Sequence, residues 1–168
     1  MARAMTRRGM LRTLGALAAV AAVGRIHAAG AQSAGSATSP AAPFGQQESV
    51  DAAMKRLFGG RAIKDGSAVI KLDIPLIAEN GAVVPVSVEA QSPMTPQNHV
   101  THIYVIADKN RIPVVTHATL APEAGQAFIG ANIRLGETGD VRAIAEQSDG
   151  TLLQVKREVK VTVGGCGG

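Results

Sequence analysis

The chain has 168 residues, with 17 Lys and Arg against 13 Asp and Glu, one cysteine, no Trp, one Tyr and three Phe. Its formal charge of +4 is unevenly placed: residues 1–31 hold Arg3, Arg7, Arg8, Arg12 and Arg25 and no acid, so the 17 basic residues less these five leave 12 against 13 acids, a net charge of −1 for the remainder. That balance excludes a basic footprint for nucleic acid, and a single cysteine excludes an internal disulfide.

Thr6-Arg7-Arg8-Gly9-Met10-Leu11-Arg12 is a twin-arginine export pattern, followed by an apolar run from Leu14 to Val23 and small residues at Ala29-Gly30-Ala31. The run is far shorter than the roughly 20 residues a membrane-spanning helix needs, so no membrane anchor is expected. Residues 1–31 read as a twin-arginine signal peptide, and the mature protein is expected in the periplasm, starting close to Gln32. That route carries folded cargo, often with a cofactor or a bound partner. No cofactor motif follows, which favours a partner.

Residues 32–47, rich in Ala, Ser, Gly and Pro, read as a flexible leader. A helix comes next. Val50, Ala53, Met54, Leu57 and Phe58 recur at helical spacing, Ser49 can cap the start, and Gly59-Gly60 ends it. From Gly66 the period changes to two. Candidate strands cover 70–78, 84–90, 99–107, 112–121, 126–135, 140–148 and 151–163, with turns at Asn80-Gly81, Ser92–Pro96, Lys109-Asn110 and Gly136–Asp140, and a hairpin at Asp149-Gly150. About seven strands of this kind define a mainly β fold, an immunoglobulin-like antiparallel β-sandwich with one N-terminal helix, spanning residues 48–163. Pro75 and Pro85 each remove a ladder donor, so their strands are expected at edges or at bulges. A core this poor in aromatic residues would suit a sandwich that completes its burial against a partner.

The chain closes on Val163-Gly164-Gly165-Cys166-Gly167-Gly168. After a regular alternating strand, residues 164–168 carry no side chain except one thiol, and glycine adds no bulk and opens conformations closed to other residues. Such an arm can enter a narrow channel in another protein. The thiolate is the nucleophile, and an unperturbed thiol is only a few per cent ionised at neutral pH. No base sits within the tail, so a partner enzyme must activate it. Cys166 is therefore the candidate covalent carrier thiol, with Gly164, Gly165, Gly167 and Gly168 as its arm.

Other chemistry has little support. Asn98-His99-Val100-Thr101-His102 has an H-x-x-H spacing, but on a strand positions three apart face opposite ways. A copper-delivery site using Met94, His99 and His102 is a rival reading, weaker than ordinary surface or core histidines at 99, 102 and 117. No nucleophile elbow, P-loop, dinucleotide fingerprint or zinc motif is present. The expectation is a carrier, not an enzyme, with no cofactor and no metal. A second rival is an adhesive exported sandwich that uses Cys166 for an intermolecular disulfide.

The terminal Val161-Thr162-Val163-Gly164-Gly165-Cys166-Gly167-Gly168 closely resembles the end of SoxY, the sulfur-carrier family of the bacterial thiosulfate-oxidising Sox system. The resemblance extends to Ile77-Ala78-Glu79-Asn80-Gly81, to Pro85-Val86, to Ala107-Asp108-Lys109-Asn110 and to the twin-arginine signal. Arg111-Ile112-Pro113 departs from it, since family members more often have proline directly after the asparagine. The resemblance implies a heterodimer with a SoxZ-like subunit, here a separate chain, and places the family's carrier cysteine at Cys166. It implies that a haem-containing Sox enzyme couples thiosulfate to that cysteine and that hydrolytic Sox enzymes release sulfate. It also implies that the intermediate stays bound to the arm throughout.

Overall fold

Ser49 begins the helix in extended geometry (φ −72°, ψ 155°), and its hydroxyl accepts from the Ala52 amide at 3.2 Å. The resulting α1 (Val50–Phe58) stops at Gly59, whose φ of 64° lets its N–H reach back to the Lys55 carbonyl at 2.8 Å. Start, stop and buried face thus follow the sequence expectation. The structure, a computed structural model, describes residues 45–164. The signal segment 1–31, most of the leader 32–47, and residues 165–168 of the arm, Cys166 included, lie outside the described residues.

Nine strands follow: β1 (Ile63–Asp65), β2 (Ile70–Asp73), β3 (Ile77–Ala78), β4 (Val84–Ala90), β5 (Val100–Ala107), β6 (Val114–Thr119), β7 (Ala127–Ile133), β8 (Gly139–Gln147) and β9 (Leu152–Val161). They form two sheets. The larger runs β1-β9-β8-β5-β6, with β3 also paired to β9; the smaller runs β2-β4-β7. This is the expected mainly β, immunoglobulin-like sandwich, with more and shorter strands than about seven.

The extra strands have local causes. The single run expected over 70–78 is cut at Ile74-Pro75-Leu76, where proline offers no ladder donor. The chain changes sheets there, β2 pairing with β4 and β3 pairing with β9. β1 and β3 both run parallel to β9, so the large sheet is not purely antiparallel. Pro85 was expected on an edge or at a bulge, yet β4 is the middle strand of its sheet. It is accommodated because β2 pairs only with residues 87–90 and leaves that flank open. The hairpin at Asp149-Gly150 forms as expected, with Gly150 at φ 82° and the Thr151 amide donating to the Asp149 carboxylate at 2.8 Å.

Alternation sends Ile103, Val105, Ala143, Ala145 and Val159 inward to meet Leu72, Val86 and Val88 of the small sheet. The other face of the large sheet is covered in part by α1. Ala53 and Phe58 pack there on Tyr104, Ile106, Val114, Ile144 and Leu152. Phe58 meets Tyr104 edge to face, with ring centroids 5.3 Å apart at 89°. Among the described residues the two buried Phe and Tyr side chains, Phe58 and Tyr104, meet at this contact rather than between the sheets.

Candidate functional site

Strand β9 delivers the chain to the arm, and its end is held on both flanks. The Lys160 and Thr162 amides donate to the carbonyls of Leu76 and Ala78 at 2.9 and 3.1 Å, continuing the β3 pairing. On the other side the Val161 amide donates to the Thr138 hydroxyl at 2.9 Å. The Thr162 hydroxyl donates to the Glu79 carbonyl at 2.8 Å, and the Gly81 amide donates to the Val163 carbonyl at 2.7 Å. Hydrogen bonding therefore persists two residues past the last strand position.

Gly164 is the last described residue. A Cβ there would collide with the carbonyl oxygen of Gly136, so glycine is required for fit at this position as well as permitted for freedom. Cys166 stands two residues further on, which limits it to about 7 Å from Gly164 by extended-chain geometry. Around this exit Leu76, Ile77, Val83 and Val163 are each about 60 % exposed, large apolar side chains in open solvent. Ile77 and Val83 share a groove of about 240 Å³ with Pro75 and Pro85. These four exposed apolar side chains therefore gather at the β3 end of the sandwich, around the exit, while another, Phe128, stands on β7 of the small sheet.

The histidines are arranged differently from their spacing. His99 precedes β5, and its Nδ1 lies 3.1 Å from the Thr95 carbonyl. Met94 is buried in the core between the sheets. His102 is instead brought against His117 from the neighbouring strand, with ring centroids 5.4 Å apart, and both lie beside Tyr104. Glu146 stands 4.0 Å from His102 Nδ1 and accepts from Arg61 at 2.6 Å. Met94, His99 and His102 thus do not converge. Among the described residues no group of three or more His, Cys, Asp or Glu is placed to hold a metal ion.

Burial first, then the neighbouring His102, lowers the pKa of His117 below its ordinary value. Such a histidine binds fewer protons folded than unfolded. Stability therefore rises with pH up to about 6.5 and is lost as pH falls through that value toward the lowered one. His117→Gln should shrink the loss of thermal stability between about pH 7.5 and about pH 5. An equal loss in variant and parent would remove His117 as its source.

The sandwich places a hydrogen-bonded exit at the end of its last strand, and the sequence continues from that exit into a glycine-flanked cysteine. It is an immunoglobulin-like domain whose last strand runs directly into that segment. The model of the family described as sulfur oxidation protein SoxY matches residues 54–166, and the chain belongs to that family. Among solved structures it is similar to the sulfur carrier protein SoxY from Chlorobium limicola f thiosulfatophilum, with 31 % identity, 67 % of this chain and 96 % of that chain covered, and a TM-score of 0.56. It is also similar to the superoxide reductase (neelaredoxin) from Ignicoccus hospitalis, at 15 % identity, with 55 % of this chain and 80 % of that one covered and a TM-score of 0.50. At that identity the likeness is one of fold alone. No curated protein matches the chain.

Proposed function

We propose that this chain is a periplasmic sulfur carrier that holds thiosulfate-derived intermediates on the Cys166 thiol and presents them to the enzymes of sulfur oxidation. The observation that carries the reading is the reach of the family match, which runs through residue 166 and so includes the cysteine together with the sandwich that presents it. The similar protein from Chlorobium is itself a sulfur carrier.

The chemistry balances on one thiol. In the first step the Cys166 S–H bond breaks and a bond forms to the sulfane sulfur of thiosulfate. One proton and two electrons leave, the electrons passing to a haem-containing Sox enzyme. Water then attacks the terminal sulfone on a hydrolytic Sox enzyme, releasing sulfate and a proton and leaving a persulfide on Cys166. The carrier's share is to keep the sulfur tethered, which replaces diffusion with a high effective concentration at each enzyme. With Cys166 held within about 7 Å of Gly164, an enzyme that reaches the thiol comes against Leu76, Ile77, Val83 and Val163. An apolar rim there suits contacts that form and release.

Intact mass of the protein from the periplasmic fraction of thiosulfate-grown cells tests location, processing and loading together. The chain should start near Gln32, and its C-terminal peptide should carry added sulfur or thiosulfate mass that dithiothreitol removes. An unprocessed cytoplasmic chain with a bare thiol would overturn the proposal. A disulfide to a second protein as the dominant species would favour the adhesive reading instead.

The expected partner is a SoxZ-like subunit. The aromatic-poor core and the folded-export signal support a stable partner, and ligands that bind only the folded state raise its stability by mass action. Mixed in equal amounts, the two chains should sediment as a heterodimer that unfolds at a higher temperature than this subunit alone. Two separate species with unchanged unfolding would count against that pairing.

A further inference from the structure

We infer that Asn110 is a positioning residue for the Cys166 thiol: through the carbonyl of Gly136 it sets where the arm leaves the sandwich. Asn110 lies in the turn after β5, far from the arm in sequence, yet its side chain is directed at the arm's root. It is the one buried polar residue among those described, 7 % exposed. Its Nδ2 donates to the Arg134 carbonyl at 2.7 Å, and its Oδ1 accepts from the Gly136 amide at 2.9 Å. A buried amide with both ends bonded holds its partners in one arrangement, because releasing either leaves a polar group unpaired.

Those two bonds bracket Leu135, whose side chain is in the core and whose amide donates to the Gly81 carbonyl at 2.7 Å. Gly81 in turn donates its own amide to the Val163 carbonyl. Two chain segments therefore meet at the root. Gly81 holds Val163, and Asn110 fixes Gly136, against whose carbonyl Gly164 lies so closely that no Cβ fits. The root is a cradle for Val163 and Gly164, from which the chain continues to Cys166. A tether of two residues reaches only about 7 Å, so a displaced or loosened origin moves the whole region the thiol can reach, and a misplacement of about 1 Å at the reacting atoms can cost on the order of a hundredfold in rate. The consequence for turnover rests on the carrier reading; the cradle itself does not.

The experiment separates the two. A nitroxide is attached to Cys166 and a second to a cysteine introduced at the exposed Lys55, and their distance distribution is measured in the parent, in Asn110→Ala and in Gly164→Ala. Both variants should broaden or shift the distribution. Gly164 is solvent-exposed, so its variant folds even where Asn110→Ala does not, and it then decides alone. In unlabelled protein with native Lys55, alkylation of Cys166 by iodoacetamide should keep its parent rate in both. Enzymatic loading with thiosulfate should fall by on the order of tenfold or more. The double variant should be no slower than Asn110→Ala alone, since both changes act on one contact. An unchanged distance distribution, parent-like loading or additive losses would overturn the inference. Thiosulfate-derived mass persisting in Cys166→Ser would instead overturn the carrier reading and leave the cradle standing.

Discussion

Cys166→Ser should abolish sulfur loading and leave folding untouched. The loaded state needs a sulfur–sulfur bond, and a hydroxyl cannot form one. Serine also lacks the accessible anion that makes a thiol nucleophilic near neutral pH. No second cysteine exists in the chain to take over. Folding should not notice the change, because burial falls away along the end of the last strand. Val159 is fully buried, Val161 only partly, and Val163 is 64 % exposed. A substitution beyond that point belongs with surface changes, which shift stability by less than about 0.5 kcal/mol. Thermal unfolding of parent and variant should therefore superimpose while the thiosulfate-dependent mass increase disappears. A variant that still gains the mass would show the sulfur to sit elsewhere.

How much of this was legible in the sequence depends on how local each feature is. The helix was readable residue by residue, because Ser49, the spacing of Val50, Ala53 and Phe58, and Gly59 all act within a few positions. The Asp149-Gly150 hairpin was readable for the same reason. β1 was not: Ile63-Lys64-Asp65 has a single apolar residue, and it becomes a strand only because β9 lies beside it. The split at Pro75 was half legible. The missing donor pointed to an edge, but the change of sheet depends on where β4 and β9 lie. The pairing of His102 with His117 required the register of β5 on β6, which periodicity cannot supply.

The candidate site divides in the same way. The carrier cysteine and its glycines stand out in the sequence alone. The segments Asn80-Gly81 and Ala107–Asn110 also carry the family resemblance, but nothing in their sequence says why they matter. In the fold they converge on the arm's root, Gly81 through Val163 and Asn110 through Gly136. A buried asparagine beside a glycine-rich tail was the available signal, and it could be interpreted only once the two were seen to meet.

The largest stability effect should come from Phe58→Ala, and its cause lies in how the large sheet is covered. Phe58 is 2 % exposed and closes the last turn of α1 onto the outer face of that sheet. Removing the ring empties the space over Tyr104, Ile106, Ile144 and Leu152 and abolishes the edge-to-face pair with Tyr104. A nine-residue helix is too short to stand alone in water, so its order comes from this contact. Truncations of this kind cost about 3–5 kcal/mol, which lowers the melting temperature of a domain this size by on the order of 10 °C or more. The damage should stay on one side. Ile103, Val105 and Val159 pack on the opposite face against the small sheet, and their amides should keep their hydrogen-exchange protection at low temperature while those of residues 50–58 lose theirs. Phe58 packs on none of the residues that hold the arm's root, Gly81, Gly136, Val163 and Gly164, so alkylation of Cys166 should proceed at the parent rate below the transition. A variant that melts within a few degrees of the parent, with the helix amides still protected, would show that the large sheet does not need α1 as its cover.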